Sequence, residues 1–158
     1  MNDQQRVQEI LSTLEKRQQE NRLHYYKPYD FQKRFHKDGA EANQRLLMAA
    51  NRVGKSYVGA MEMSIHLTGI YPKWWTGKKF SKPIRAWVCG ASNETTRDIC
   101  QRELFGQPDN PREKGKGSIP KHLIGETTRK PGVPNAHSSV LVKHSTGGWS
   151  RVAFKAYE

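Results

Sequence analysis

The feature that most constrains the fold is the triplet Gly54-Lys55-Ser56, which stands between an apolar run and a helical pattern. The run before it, Gln44–Asn51, is short and apolar, as is typical of a buried parallel strand. Gly54–Leu67 has apolar residues at helical spacing. Residues 49–56 fit the pattern G-x-x-x-x-G-K-[ST] except at the first position, where Ala49 replaces glycine. The sequence therefore predicts a strand, a P-loop and a helix in succession.

A loop of this kind binds phosphate because its backbone amides curl around the anion and the helix presents its N-terminus to it. Gly54 allows close approach, Lys55 reaches the β- and γ-phosphates, and the Ser56 hydroxyl binds Mg²⁺. The alternative is an ordinary loop that has no binding function and carries a surface lysine. The candidate nucleotide-binding residues of the loop are Ala50, Asn51, Arg52, Val53, Gly54, Lys55 and Ser56.

Arg52 lies inside the loop and has two interpretations. It can act as an arginine finger supplied in cis, which stabilises charge on the γ-phosphate in the transition state. The alternative is an arginine that faces solvent or DNA. Lys55 and Arg52 are therefore the candidate catalytic residues.

The rest of the chain continues the alternation of strands and helices. Ile84–Gly90 is a second apolar run, and a helix capped near Ser92 extends to about Leu104. This order predicts an α/β protein with a doubly wound, mostly parallel sheet of the P-loop NTPase type. Ser139–His144 and Trp149–Tyr157 flank a turn sequence, so we expect the chain to end in a β-hairpin.

Residues 1–24 form the first predicted unit, an N-terminal arm, and residues 25–158 the second. The arm has a narrow apolar stripe with polar residues around it, which predicts an amphipathic helix. Such a stripe usually packs on its own domain, and the alternative is an arm that binds a partner. Tyr71–Pro83 is predicted to be a loop whose Trp74 and Trp75 pack against the domain. Arg112–Lys116 is predicted to be an exposed basic loop that faces either solvent or DNA.

The net charge indicates a class of binding partner but does not identify a function. The 158 residues carry a formal net charge of +12, which favours polyanionic partners such as nucleic acid. No segment has the composition of a membrane span or a signal peptide. The two cysteines and six histidines show no zinc spacing, so a protein-only metal site is not expected.

Several segments together resemble the ATPase domain of the large terminases of tailed double-stranded DNA phages. The segments are Tyr29–Gln32, the loop Ala50–Ser56, the loop Tyr71–Trp75, the strand Arg85–Gly90 and the turn Gly147–Trp149. The resemblance covers nearly the whole chain after the N-terminal helix. It implies an ATP-driven motor that moves double-stranded DNA into a procapsid.

The resemblance also implies roles for individual residues. Gln32 contacts adenine, Lys55 the phosphates and Ser56 the Mg²⁺, with ATP and Mg²⁺ as cofactors. Arg52 is the P-loop arginine, although in several relatives that arginine lies where this chain has Asn51. The implied partners are double-stranded DNA, the portal protein and the small terminase subunit. The implied setting is a homo-oligomeric ring in the host cell cytoplasm, with no membrane and outside the mature virion.

One expected segment does not occur in the sequence. ATP hydrolysis uses a Walker B strand that ends in Asp-Glu, and no such strand is found. We therefore expect residues 25–158 to be a partial ATPase domain that hydrolyses ATP poorly alone, with the family's nuclease in a separate C-terminal domain. Two alternatives remain: a basic nucleic-acid-binding module with a vestigial P-loop, or the front half of a helicase-like P-loop translocase.

Overall fold

The computed structural model describes residues 2–157, which form one four-stranded sheet with helices on one side. The helices are α1 (Asp3–Glu20), α2 (Asp30–Asp38), α3 (Lys55–Thr68), α4 (Asn93–Thr95) and α5 (Arg102–Phe105), and a π-helical stretch (Thr96–Gln101) joins α4 to α5. The strands are β1 (Arg85–Gly90), β2 (Ile124–Arg129), β3 (His137–Lys143) and β4 (Trp149–Ala156). No helix in residues 2–157 is long and apolar enough to cross a membrane.

The sheet is mixed, with the strand order β1-β4-β3-β2. Only β1 and β4 are parallel, whereas β4 with β3 and β3 with β2 are antiparallel. The predicted α/β class and the terminal hairpin are therefore confirmed, and the prediction of a mostly parallel sheet is wrong. The reason is local: Gly147 and Gly148 both have positive φ and close a turn between β3 and β4 that is too short for a parallel crossover.

The hydrophobic core lies on one face of the sheet. Val140, Val142, Val152 and Phe154 pack there against α3 and α5. On the opposite face Trp87 is 72% exposed, and the burial of β4 alternates so that Trp149, Arg151 and Lys155 are exposed as well. A doubly wound arrangement is thus not present within residues 2–157, because hairpin connections supply no crossover helix for the second face.

The predicted buried strand over Gln44–Asn51 is not formed. The segment has no strand structure, and Leu46 and Met48 are 82% and 81% exposed. None of the four described strands pairs with this segment, so it forms no ladder. The segment is instead anchored beside α2 and α3, because the Arg45 guanidinium donates to the Phe35 carbonyl at 2.5 Å and pairs with Glu62.

An aromatic cluster holds the region around α2 against the far side of α3. Leu23 and Tyr26 are buried together with Met61, Ile65 and Trp75. The indole Nε1 of Trp75 donates to the carbonyl of Lys78 at 3.0 Å. Trp74 is partly buried and packs against the same cluster, so the expectation that the Tyr71–Pro83 loop uses its two tryptophans for packing is confirmed.

The N-terminal helix forms as expected, but it does not pack as expected. Asn2 caps α1, with its side chain accepting from the Gln4 amide at 2.9 Å. No residue of α1 is buried. The expectation that its apolar stripe packs on its own domain is therefore wrong within the described residues, and the division at residue 24 stays a prediction.

Candidate functional site

The predicted phosphate loop lies at the N-terminus of α3, where a left-handed turn feeds the helix. Gly54 has φ 85° and ψ 25° and is the N-cap residue, and Arg52 also has a positive φ of 63°. The first-turn amides of Lys55, Ser56 and Tyr57 have no intrahelical acceptor, and no other acceptor in residues 2–157 takes them. The loop thus presents free donors and the positive end of a helix dipole.

The Lys55 side chain turns back over the loop. Its Nζ donates to the carbonyls of Ala49 and Ala50, each at 2.7 Å. The ammonium group is therefore held on the concave side of the loop instead of extending away from it. A cation in this position adds to the field of the helix N-terminus, which favours an anion there.

Gln32 comes next to this loop although it lies 22 positions before Gly54. It is 3% exposed, and its Nε2 lies 3.5 Å from where a Cβ on Gly54 would be. Its Oε1 accepts from the Tyr29 amide at 2.9 Å, so the carboxamide also caps α2. Beside it, the exposed rings of Tyr29 and Phe31 are stacked, with centroids 6.3 Å apart and planes 8° from parallel.

The remaining predicted loop residues lie on the surface. Ala50, Asn51, Arg52 and Val53 are all exposed, and no hydrogen bond or ion pair of the Arg52 side chain occurs within residues 2–157. Ser56 is also exposed, and it lines a cavity of about 300 Å³ between α3, β1, the π-helical stretch and α5. The structure thus brings Gln32, Gly54 and Lys55 together and leaves the other loop side chains open to solvent.

A buried polar network that was not predicted from the sequence lies about two helical turns along α3 from the loop. Glu62 on α3 is 7% exposed and pairs with Arg45 through both oxygens. Its Oε2 also accepts from His36 Nδ1 at 2.7 Å, and the other His36 nitrogen contacts the Tyr26 hydroxyl at 3.0 Å. His66 Nε2 lies 3.6 Å from Oε1. One carboxylate thereby connects α2, α3 and the segment that leads into the loop.

The electrostatics of Glu62 follow from these contacts. Burial alone raises the pKa of the Glu62 carboxyl, but hydrogen bonds from His36, His66 and Arg45 outweigh burial and hold that pKa well below its usual range. The sequence contained a signal for this network. Glu62 lies four positions after Val58 on the apolar face of α3, and a carboxylate on a buried face needs a cationic partner.

A family model described as "Terminase large subunit, T4likevirus-type, N-terminal" matches residues 46–158 of this chain. The chain belongs to the terminase large subunit family. It is also similar to "Terminase, large subunit" of Salmonella phage P22, with 35% identity over 176 residues. That alignment covers 99% of this chain and 35% of the relative, so the chain spans about a third of the length of that relative. No solved structure matches the chain.

The match places the loop, the tryptophan-containing loop, β1 and the hairpin of this terminase chain inside the family region. Gln32 and the start of α2 precede residue 46 and fall outside the family model, although the alignment with the phage P22 protein extends over them. The family resemblance seen in the sequence is confirmed. The roles of the individual site residues stay predictions.

The left-handed conformation of Gly54 gives a first testable prediction. We expect Gly54→Ala to lower the free energy of unfolding by roughly 1–2 kcal/mol, because a Cβ disfavours φ near 85°. Gly59→Ala is the matched control, since Gly59 is inside α3 and a Cβ there meets nothing within 4 Å. The control should stabilise by about 0.5–1 kcal/mol. Urea unfolding measures both, and equal shifts for the two variants would contradict the loop geometry.

Proposed function

We propose that this terminase chain forms the nucleotide-binding part of an ATP-driven DNA-packaging motor. The observation that carries the proposal is the left-handed Gly54 at the N-terminus of α3, with Lys55 folded inward over the loop. Free amides, a helix N-terminus and an ammonium group converge there on one small concave surface. This combination favours the terminal phosphates of a nucleotide.

The loop residues have distinct parts in this proposal. The amides from Ala50 to Ser56 surround the β- and γ-phosphates, and Lys55 exchanges its two carbonyl partners for phosphate oxygens. Arg52 is exposed, and no hydrogen bond or ion pair within residues 2–157 restrains its side chain. It is free to extend toward the γ-phosphate, where a guanidinium stabilises charge during phosphoryl transfer.

The base of the nucleotide lies on the α2 side of the loop. Gln32 reaches Gly54 there, and the stacked rings of Tyr29 and Phe31 are exposed beside it. A purine presents a flat face for stacking and an edge with donors and acceptors. Adenine is the base that the resemblance implies for Gln32, whose amide nitrogen remains available while its oxygen caps α2.

Mg²⁺ accompanies the nucleotide in this proposal. The exposed Ser56 hydroxyl at the second position of α3 supplies one hard oxygen ligand near the terminal phosphates. Mg²⁺ usually keeps several waters and takes its other oxygens from the substrate phosphates, so a single hydroxyl fits this ion. The ion neutralises phosphate charge when it is bound.

The activity of the whole protein also belongs to the proposal. A large terminase subunit combines an ATPase with a nuclease, and the present chain corresponds to the ATPase part without a Walker B strand. Double-stranded DNA, the portal protein and the small terminase subunit are the proposed partners, in a homo-oligomeric ring in the host cytoplasm. The net charge of +12 supports a polyanionic partner.

Isothermal calorimetry with a non-hydrolysable ATP analogue and Mg²⁺ tests the nucleotide claim on the chain itself. We expect saturable binding that pyrophosphate competes away, because the loop holds the terminal phosphates. Without Mg²⁺, Ser56→Ala should bind the analogue with the affinity of wild type. With Mg²⁺, the variant should lose most of the increase in affinity that the ion gives wild type. Ser81→Ala, an exposed serine outside the loop, is the control.

Two results would contradict the proposal. Absence of saturable analogue binding would favour the basic nucleic-acid module with a vestigial loop. Binding that pyrophosphate does not displace would show that the nucleotide is held elsewhere.

A further inference from the structure

A second feature with the chemistry of an anion site lies at the start of β3, apart from the Gly54 loop. Two cavities of about 630 and 350 Å³ adjoin there and share Pro108, Arg129, Asn135 and His137 in their walls. They lie between the end of β2, the connection to β3 and the loop after α5. Since β3 is antiparallel to β4, the start of β3 lies at the same end of the sheet as the C-terminus of β4.

The walls of these cavities are cationic and contain no carboxylate among the described residues. Arg129 lines both cavities, Lys114 the smaller one and Lys130 the larger one. Within residues 2–157 none of these three side chains forms an ion pair. Burial, followed by the nearby charges of Lys114 and Arg129, lowers the pKa of His137. The cationic side chains are therefore close enough for their fields to add at the imidazole.

The backbone around the cavities is fixed by hydrogen bonds from side chains. The Gln101 carboxamide donates to the His137 carbonyl at 2.8 Å and accepts from its amide at 2.9 Å. Arg97 donates to the Pro134 carbonyl at 3.0 Å, and Asn135 donates to Asp109 at 2.8 Å. The connection between β2 and β3 is thus held in place without using the three cationic side chains, which leaves their charged groups available to an anion.

His137 contributes a further observation that points to a ligand. Its Nδ1 is buried and has no hydrogen-bond partner among the described residues. A buried polar nitrogen without a partner is unfavourable, and a ligand oxygen or a water held by one would satisfy it. The same imidazole lines both cavities.

We propose that Lys114, Arg129 and His137 form a phosphate-binding site, separate from the Gly54 loop, that accepts phosphate groups of a polynucleotide backbone or of a free phosphate compound. Arginine and lysine without acidic partners are the side chains that bind phosphate in proteins, arginine by a planar fork and lysine as a point charge. The basic loop Arg112–Lys116 thereby contributes one residue to a built site instead of serving only as a solvated surface.

The test compares a Lys114→Gln, Arg129→Gln double variant with a control that loses the same charge. The control is Lys16→Gln with Lys143→Gln, both exposed and outside the cavities, the second at the opposite end of β3. Both pairs are made with Lys55→Ala, so that binding at the Gly54 loop is weakened equally in both. The probes are inorganic pyrophosphate and a 20-base-pair duplex of arbitrary sequence, titrated at several salt concentrations.

The site variant should bind at least one probe about tenfold or more weakly than its control, since a hydrogen bond to a charged group is worth roughly 1.5–3 kcal/mol. Weakening toward the duplex, with a shallower salt dependence, identifies backbone phosphates. Weakening toward pyrophosphate alone identifies a free phosphate compound.

Equal affinities of the two variants for both probes would overturn the proposal. A local measurement makes the result independent of folding differences. In the Lys55→Ala protein, the probe that the site binds should shift the NMR signals of the His137 imidazole, assigned with His137→Gln. A His137 signal that stays unchanged at saturating pyrophosphate and at saturating duplex would equally overturn the site.

Discussion

Lys55→Ala is expected to weaken binding of a non-hydrolysable ATP analogue by roughly ten- to a hundredfold. The Lys55 ammonium now contacts the Ala49 and Ala50 carbonyls at 2.7 Å, and phosphate oxygens would replace them. Each hydrogen bond to a charged group is worth roughly 1.5–3 kcal/mol, and 1.4 kcal/mol is a factor of ten in affinity. Calorimetry of the analogue with Mg²⁺ measures the difference directly.

Lys73→Ala is the matched control, because Lys73 is exposed, carries the same charge and lies in the loop after α3. It removes one positive charge from the protein without touching the site, so its affinity for the analogue should stay close to wild type. If both variants lose affinity equally, the effect is one of net charge. If neither loses affinity, Lys55 does not contact the nucleotide.

The largest effect on stability is expected from Glu62→Gln, which should lower the free energy of unfolding by about 3 kcal/mol. The substitution preserves shape but removes the charge that Arg45 and His36 share. It leaves a guanidinium at the α2–α3 contact without its anion, and breaking a buried pair from one side is strongly unfavourable. Urea unfolding at pH 7 measures the loss.

The Glu62 contribution should also depend on pH. Its folded pKa is below the reference value of 4.5, so the carboxylate's contribution is fully present above about pH 4.5 and decreases as the pH falls further. The difference in unfolding free energy between wild type and Glu62→Gln should therefore narrow between pH 5 and pH 3.

Asp98→Asn provides the control for Glu62. It removes one carboxylate from an ion pair with Arg97, but Asp98 is on the surface. Water screens such a pair, so little change in stability is expected. A loss as large as that of Glu62→Gln would mean that net charge, and not the buried network, controls stability.

Much of the site was predictable because its chemistry is encoded locally. Gly54 was expected at the start of a helix, and it is the N-cap residue of α3. The apolar spacing of α3, the strand after Pro83 and the glycines of the final hairpin depend on neighbours within a few residues. These predictions are confirmed for the same reason, because short-range rules of propensity and turn geometry decide them.

The predictions that were wrong depended on distant partners. Gln44–Asn51 has the composition of a buried strand. A strand forms only where it pairs with another strand, and none of the described strands pairs with this segment. The apolar stripe of α1 predicted a docked helix, yet Val7 and its neighbours on that face are exposed. Composition gives the tendency of a segment, whereas its burial depends on what packs against it.

By itself the sequence determined the family, the helix α3 that begins after Gly54 and the terminal hairpin. Only the tertiary structure decided that the sheet is mixed, that Gln32 reaches Gly54, and that Glu62 joins α2 to α3. The physical reason is the distance along the chain over which each interaction acts. Turn and helix preferences act over a few residues, whereas strand pairing and buried ion pairs join residues far apart along the chain.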